Sequence, residues 1–365
     1  MDVVELKARG ISVSVDLSVG HIADLAVEQD GRLLRPLHKA PWIGDPEQNF
    51  PEDTAPNVRR LSGDFLCAPF GRSDVEPAPP HGWPANSAWD LVEQVAFAGG
   101  ATALFRLRRP LMGATVTKRL TLRDGHPFLY QEHVFEGGEG RISVAHHPMT
   151  AMAEGGRLFF SPKRFAATPD TPLESDPARG RSILRYPARS DDLTRFPLSD
   201  GREADLTRYP PGKAHEDFVI LAEKAREGLG WTGVARAAER DLLLVLKDAA
   251  TFPITMLWFS NGGRDYAPWS SRHIGVLGIE DGRSSPYGHA SSAGENFLTR
   301  EGIPTAFTLA ADGKIVVRQV IGAVLWDDAE IGLETVASAD RALHLSASDG
   351  RTFSLRFDDG FLHSR

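Results

Sequence analysis

Apolar and polar residues alternate along most of this chain, and turn-forming pairs interrupt the alternation again and again. Ile11-Ser12-Val13-Ser14-Val15-Asp16-Leu17 repeats with period two, the spacing at which successive side chains of a strand reach opposite faces. Similar runs occupy 103–107, 114–122, 128–135, 141–145, 218–222, 242–246, 254–259 and 315–320. Between runs lie pairs such as Asp30-Gly31, Asp124-Gly125, Gly137-Gly138, Asp312-Gly313 and Asp349-Gly350, where glycine supplies the positive φ that tight hairpins require. No long segment keeps a helical apolar stripe. Two short helices are expected, at 216–225, which also fits a strand, and at 335–343. The pattern predicts an all-β protein of antiparallel sheets built from meanders.

Three stretches break the pattern. Segments 42–56 and 71–87 are rich in Pro, Gly and Asn, and 168–211 is long, charged and rich in Pro. Such loops are commonly functional or disordered. The loop carrying His81 reads as functional, and 168–211 as a surface excursion with short strands such as 182–186. No internal repeat or linker divides the chain, so 1–365 is expected to form one domain.

Composition removes several functions. The 365 residues carry a formal charge of −8, which disfavours a nucleic-acid or anionic-membrane partner. Cys67 is the single cysteine, so neither an intrachain disulfide nor a cysteine zinc cage can form. The start, Met1-Asp2-Val3-Val4-Glu5, lacks signal-peptide character, and no apolar run is long enough to span a bilayer. A cytoplasmic location is expected. Sequence leaves the oligomeric state open.

Proton-transfer chemistry is concentrated in three places. Pro80-His81-Gly82-Trp83 lies in a turn, His146-His147-Pro148 closes the apolar run 142–145, and Glu280 ends Ile274-Gly275-Val276-Leu277-Gly278-Ile279. Imidazoles and a desolvated carboxylate can exchange protons near neutral pH. Strand parity places Ser143, Ala145 and His147 on one face and Ile142, Val144 and His146 on the other. The small, polar face suits a cleft, which favours His147 over His146. Both histidines could instead be hydrogen-bonded structural groups, and Glu280 could be a solvated strand end before an Asp281-Gly282 turn. Trp83 and Trp89 could pack on sugar faces or serve as core anchors. Arg72 offers a fixed fork of donors to hydroxyl or phosphate oxygens, and Asp217 could accept from a polyol or start an element. Nucleotide-binding glycine loops, HExxH and GxSxG are missing from the sequence. The histidine spacing fits no metal pattern.

These segments together resemble the aldose 1-epimerase, or galactose mutarotase-like, superfamily, nearest its hexose-6-phosphate epimerase style of motif. The likeness is carried by 63–71, Pro80-His81-Gly82-Trp83, Trp89-Asp90-Leu91, Ser143-Val144-Ala145-His146-His147-Pro148-Met149 and Leu277-Gly278-Ile279-Glu280. It spans about 10–325 and leaves 326–365 unplaced. The resemblance implies a β-supersandwich with a sugar cleft and interconversion of α and β anomers of a hexose or related sugar, free or phosphorylated. In it Glu280 would deprotonate the C1 hydroxyl and His147 would protonate the ring oxygen. His81, Arg72, Asp217 and Trp83 would contact the sugar. One acid and one base suffice for this chemistry, so no metal or other cofactor is expected. A non-catalytic carbohydrate-binding protein of the same fold is the main alternative, and a polysaccharide-processing enzyme the third.

Overall fold

The computed structural model describes residues 3–74, 76–176 and 178–363. Two large antiparallel sheets dominate it. One, the cleft sheet, orders its strands Arg189–Ser190, Lys163–Ala167, His215–Glu223, Ile254–Asn261, Val276–Arg283, Val144–His146 and Leu66–Cys67, with Met149–Ala151 also paired to Val276–Arg283. The other, the back sheet, runs Arg208–Tyr209, Gly156–Phe160, Leu229–Arg236, Asp241–Asp248, Lys314–Leu325, Phe128–Gly137, Ala114–Arg123, Gly100–Leu107 and Trp89–Phe97. The all-β expectation holds.

Alternation sorts each strand into layers. In His215–Glu223, Val219 and Leu221 enter the apolar layer between the sheets, while Phe218, Ile220 and Ala222 pack beneath the cleft. In Asp241–Asp248, Leu243 and Val245 face the inter-sheet layer, and Leu242, Leu244 and Leu246 face outward. That outer layer is closed by a three-stranded C-terminal meander, Leu333–Ala339, Ala342–Ala347 and Thr352–Arg356. Burying each such side chain contributes about 1.5–3 kcal/mol. The described part of the segment unplaced from sequence, residues 326–363, thus roofs the back sheet.

Both helix expectations are corrected. Residues 215–223 form a strand, because Phe218-Val219-Ile220-Leu221 is apolar on both faces and sits between two sheet neighbours. Residues 335–343 form a hairpin, with Asp340 and Arg341 at its turn with φ of 53° and 59°. Two positive-φ residues are what a two-residue hairpin turn demands, and the missing glycine hid it. Segment 182–186 forms no strand among the described residues. Leu184 makes only an isolated bridge to Leu198, and the N–H groups of Ile183 and Leu184 donate to the Asp217 carboxylate at 3.0 and 3.1 Å.

Buried charge ties the sheets together. Lys247 Nζ of the back sheet lies 2.9 Å from Asp281 Oδ1 and 3.0 Å from Glu223 Oε1 of the cleft sheet. All three side chains are almost wholly buried.

Candidate active site

Glu280 is not at a strand end. Its strand continues to Arg283, which puts the carboxylate mid-strand near the centre of the cleft sheet, and Asp281-Gly282 is ladder rather than turn. Parity sends Leu277 and Ile279 into the inter-sheet layer and Glu280 to the cleft. Asp281 faces the interior, where Lys247 neutralises it. Gly278, two residues before Glu280 on the same face, leaves room for Trp258. A Cβ there would stand 3.2 Å from Trp258 Cβ and 3.2 Å from Glu280 Oε1.

His147 reaches the same place from the neighbouring chain segment. Its Nε2–H donates to Glu280 Oε1 across 2.9 Å. Its ring stacks on Phe65 at 4.5 Å between centroids and meets the edge of Trp258 at 5.7 Å. Its backbone N–H donates to Asp64 Oδ1 at 3.0 Å, and Asp64 is itself buried and held by Gln131 at 2.6 Å. Burial alone would lower the imidazole pKa, but the Glu280 carboxylate at contact overrides it, so the pKa is raised above its ordinary value. Glu280 Oε2 and His147 Nδ1 are buried without a protein partner. His146 takes the opposite side, between the sheets, beside His133 and Phe252.

His81 arrives on a strained turn. It has φ 69°, and the following Gly82 has φ 71°. A Cβ on Gly82 would fall 1.9 Å from Ala68 O, so glycine is obligatory there. The Asn86 side chain clamps the turn, donating to Pro80 O and Gly82 O at 2.8 Å each. The His81 ring sits edge-on to His147 at 5.4 Å, and its Nδ1 is 3.2 Å from Cys67 Sγ. Burial, with His147 and His21 nearby, pushes its pKa down to about 3, which leaves a neutral ring.

His81, His147, Glu280 and Arg72 line one half-open cavity of about 610 Å³, within the usual range for small-molecule sites. Trp83 and Asp217 do not line it. Trp83 is half-buried against the inter-sheet core with Arg109 stacked over its ring at 4.3 Å. Asp217 alternates with Phe218, a cavity residue, and so faces away. Its carboxylate is consumed by Ile183, Leu184, Tyr186 and His215. Trp89, read alongside Trp83, is buried in the inter-sheet core beneath Gly20.

Several cavity residues escaped sequence reasoning. Phe65, Phe70, Phe218, Trp258 and Trp269 form its aromatic walls. Asn57 contributes a buried Oδ1 with no partner. Arg264, stacked on Trp269 at 4.6 Å, adds a cation fixed by Glu174 at 2.8 Å and Glu216 at 3.5 Å. Glu216 also accepts from Trp258 Nε1 at 2.5 Å and Ser260 Oγ at 3.0 Å. Since Ser260 donates to Glu216, it accepts from His273 Nδ1–H at 2.7 Å, and His273 Nε2 then accepts from His38 at 3.0 Å. One directed chain of hydrogen bonds thus fixes the wall opposite His81. The parity of Trp258 and Phe218 was a usable signal for their shared face. Nothing local marks Arg264 or Asn57.

No family model matches the sequence, and none of the curated proteins is similar to it in sequence. Solved structures are similar in shape. A galactose mutarotase-like protein from Lactobacillus casei aligns with TM-score 0.53 at 13% identity, covering 88% of this chain and 100% of its own. A candidate aldose 1-epimerase from Escherichia coli K12 aligns with TM-score 0.55 at 10% identity, covering 88% and 99%. The chain shares the fold of these galactose mutarotase-like structures. At such identities the likeness fixes architecture alone. Among the described residues no group of three or more His, Cys, Asp or Glu is arranged to hold a metal ion. Among the same residues no helix is long and apolar enough to cross a membrane.

Proposed function

We propose that the protein is an aldose 1-epimerase acting on a hexose or related sugar. The observation that carries this reading is the contact of His147 Nε2 with Glu280 Oε1 at 2.9 Å inside an aromatic-walled, half-open cavity. The C1 hydroxyl oxygen and the ring oxygen of a pyranose are bonded to one carbon, so an acid and a base in contact can serve both. Glu280 takes the C1 hydroxyl proton while His147 gives its proton to the ring oxygen. The bond from C1 to the ring oxygen breaks, and an open-chain aldehyde forms. Rotation about C1–C2 and the reverse transfers close the other anomer. The raised pKa of His147 suits the acid in this step. Neutral His81 can donate or accept toward a hydroxyl, Asn57 Oδ1 can accept from one, and Trp258 and Trp269 offer faces to sugar C–H groups. The reaction calls on no cofactor.

A phosphorylated sugar is a second reading, favoured by Arg72 and Arg264 on the walls of the same cavity. Arg264 is already committed to Glu174 and Glu216, which favours the neutral sugar.

The test follows relaxation of freshly dissolved α-anomers by polarimetry over a panel of free and phosphorylated aldoses. Acceleration of at least one sugar is expected. Binding without acceleration would favour a carbohydrate-binding protein, and shortening of an oligosaccharide would favour a polysaccharide-processing enzyme.

A further inference from the structure

We propose that segment 168–211 gives the cleft an outer compartment for a second sugar unit, so that the preferred substrate is a reducing disaccharide held by its reducing end. The choice of end rests on the epimerase reading above. The compartment stands on geometry of its own.

The segment is tied into the cavity wall rather than lying loose on the surface. Glu174 accepts from Arg264 Nε at 2.8 Å and from Tyr266 Oη at 2.6 Å. Beyond this anchor the chain shows two faces. Pro169, Thr171, Pro172 and Leu173 line the inner cavity that holds His147 and Glu280. Thr168 and Asp170, with Pro187, Ala188 and Arg189, line a second cavity of about 580 Å³. Tyr287 belongs to both cavities, and its Oη accepts the Asp170 N–H at 3.1 Å. The two compartments therefore meet at a shared rim.

The outer compartment has the chemistry of a sugar site. Tyr287 and Phe297 present rings 6.3 Å apart and inclined at 69°, which supply apolar faces for C–H surfaces. Asp170, Ser291, Glu295 and Arg300 supply donors and acceptors for hydroxyls. Both compartments fall in the size range of small-molecule sites, so a single pyranose at Glu280 leaves the outer one unfilled.

The reaction dictates the orientation. Ring opening needs a free C1 hydroxyl at Glu280, so a glycosidic link cannot leave the bound unit from C1. It leaves from another hydroxyl, past Tyr287, and the non-reducing unit occupies the outer compartment.

The experiment compares anomer relaxation and calorimetric binding of glucose with maltose, cellobiose and isomaltose, in the wild type and in Ser291→Tyr and Asp170→Ala. At least one disaccharide is expected to exceed glucose in kcat/KM by about tenfold, equivalent to about 1.4 kcal/mol, and both substitutions are expected to pull that ratio toward one. A ratio of one or below in the wild type, or a ratio that neither substitution moves, overturns the proposal. If no sugar relaxes faster, the epimerase reading fails, and binding alone then decides the compartment. Disaccharide binding about tenfold tighter than glucose and weakened by the substitutions supports it, and equal or absent binding refutes it. Ser291→Tyr fills the space from a half-buried helix position. Asp170→Ala changes an exposed side chain and carries the test should the larger residue prevent folding.

Discussion

Every proton in the proposed reaction passes through His147 or Glu280, and the protonation of the imidazole sets the basic limb of the pH dependence. Contact with Glu280 raises the His147 pKa against the opposing effect of burial. The protonated ring that the acid step requires is therefore fully populated below its folded pKa and is lost as pH rises through it. This basic limb is expected above about 6.5, the ordinary imidazole value. Folding stability follows the same sign: the contribution of His147 is full below its unfolded pKa and is lost as pH rises through the folded one. In Glu280→Gln burial acts unopposed by that carboxylate, and the His147 titration moves to lower pH, read directly from imidazole NMR shifts. An unmoved titration would contradict the coupling. His81, pushed to about 3, contributes no limb near neutrality. At this scale the sequence distinguished His147 from His146, although the strand expected to run on to Met149 ends at His146 and His147 lies in the break before Met149–Ala151. It did not place Asp217 or Trp83 outside the cavity. Parity separates two faces but does not say which one meets ligand when both are buried.

Among the elements, the strands that carry the site depend on charges hidden between the sheets. Lys247 bridges Glu223 and Asp281 there at contact distance, and Asp281 follows Glu280 directly on the opposite face. Lys247→Ala leaves the buried Asp281 without its contact cation, while Glu223 keeps Lys163, and is expected to destabilise the protein by about 3–5 kcal/mol, measured by urea unfolding. A loss below about 1 kcal/mol would mean that water or Lys163 compensates. Alternation and Gly turns revealed the meanders, as Ile11–Asp16 and Ala114–Arg123 illustrate. Two short-helix expectations failed for different reasons, while the strand alternative at 218–222 holds. His215–Glu223 is buried on both faces, which erases the alternation that marks a strand. The hairpin at Asp340-Arg341 turns without glycine.

Over the whole molecule, three layers stack: cleft, inter-sheet core and the roof made by the C-terminal meander. The roof covers Phe128, Tyr130, Leu242, Leu244 and Leu246 of the back sheet. Deleting 326–365 would bare this apolar face, and the shortened chain is expected to aggregate, as followed by light scattering. A soluble, folded 1–325 fragment would show the meander to be dispensable. The mutarotase-like architecture was legible from motifs far apart in sequence, taken in order along the chain. The second compartment was not, since it depends on Glu174 meeting Arg264 across 90 residues. The claim on which the functional account turns is that His147 and Glu280 move protons at one anomeric carbon. The direct test is exchange NMR of α and β anomers of a sugar that the wild type accelerates, repeated with Glu280→Gln and His147→Ala at matched calorimetric occupancy. The account predicts that each substitution slows catalysed exchange by about 10²–10⁴-fold while the sugar still binds; exchange at the wild-type rate in either variant would contradict it.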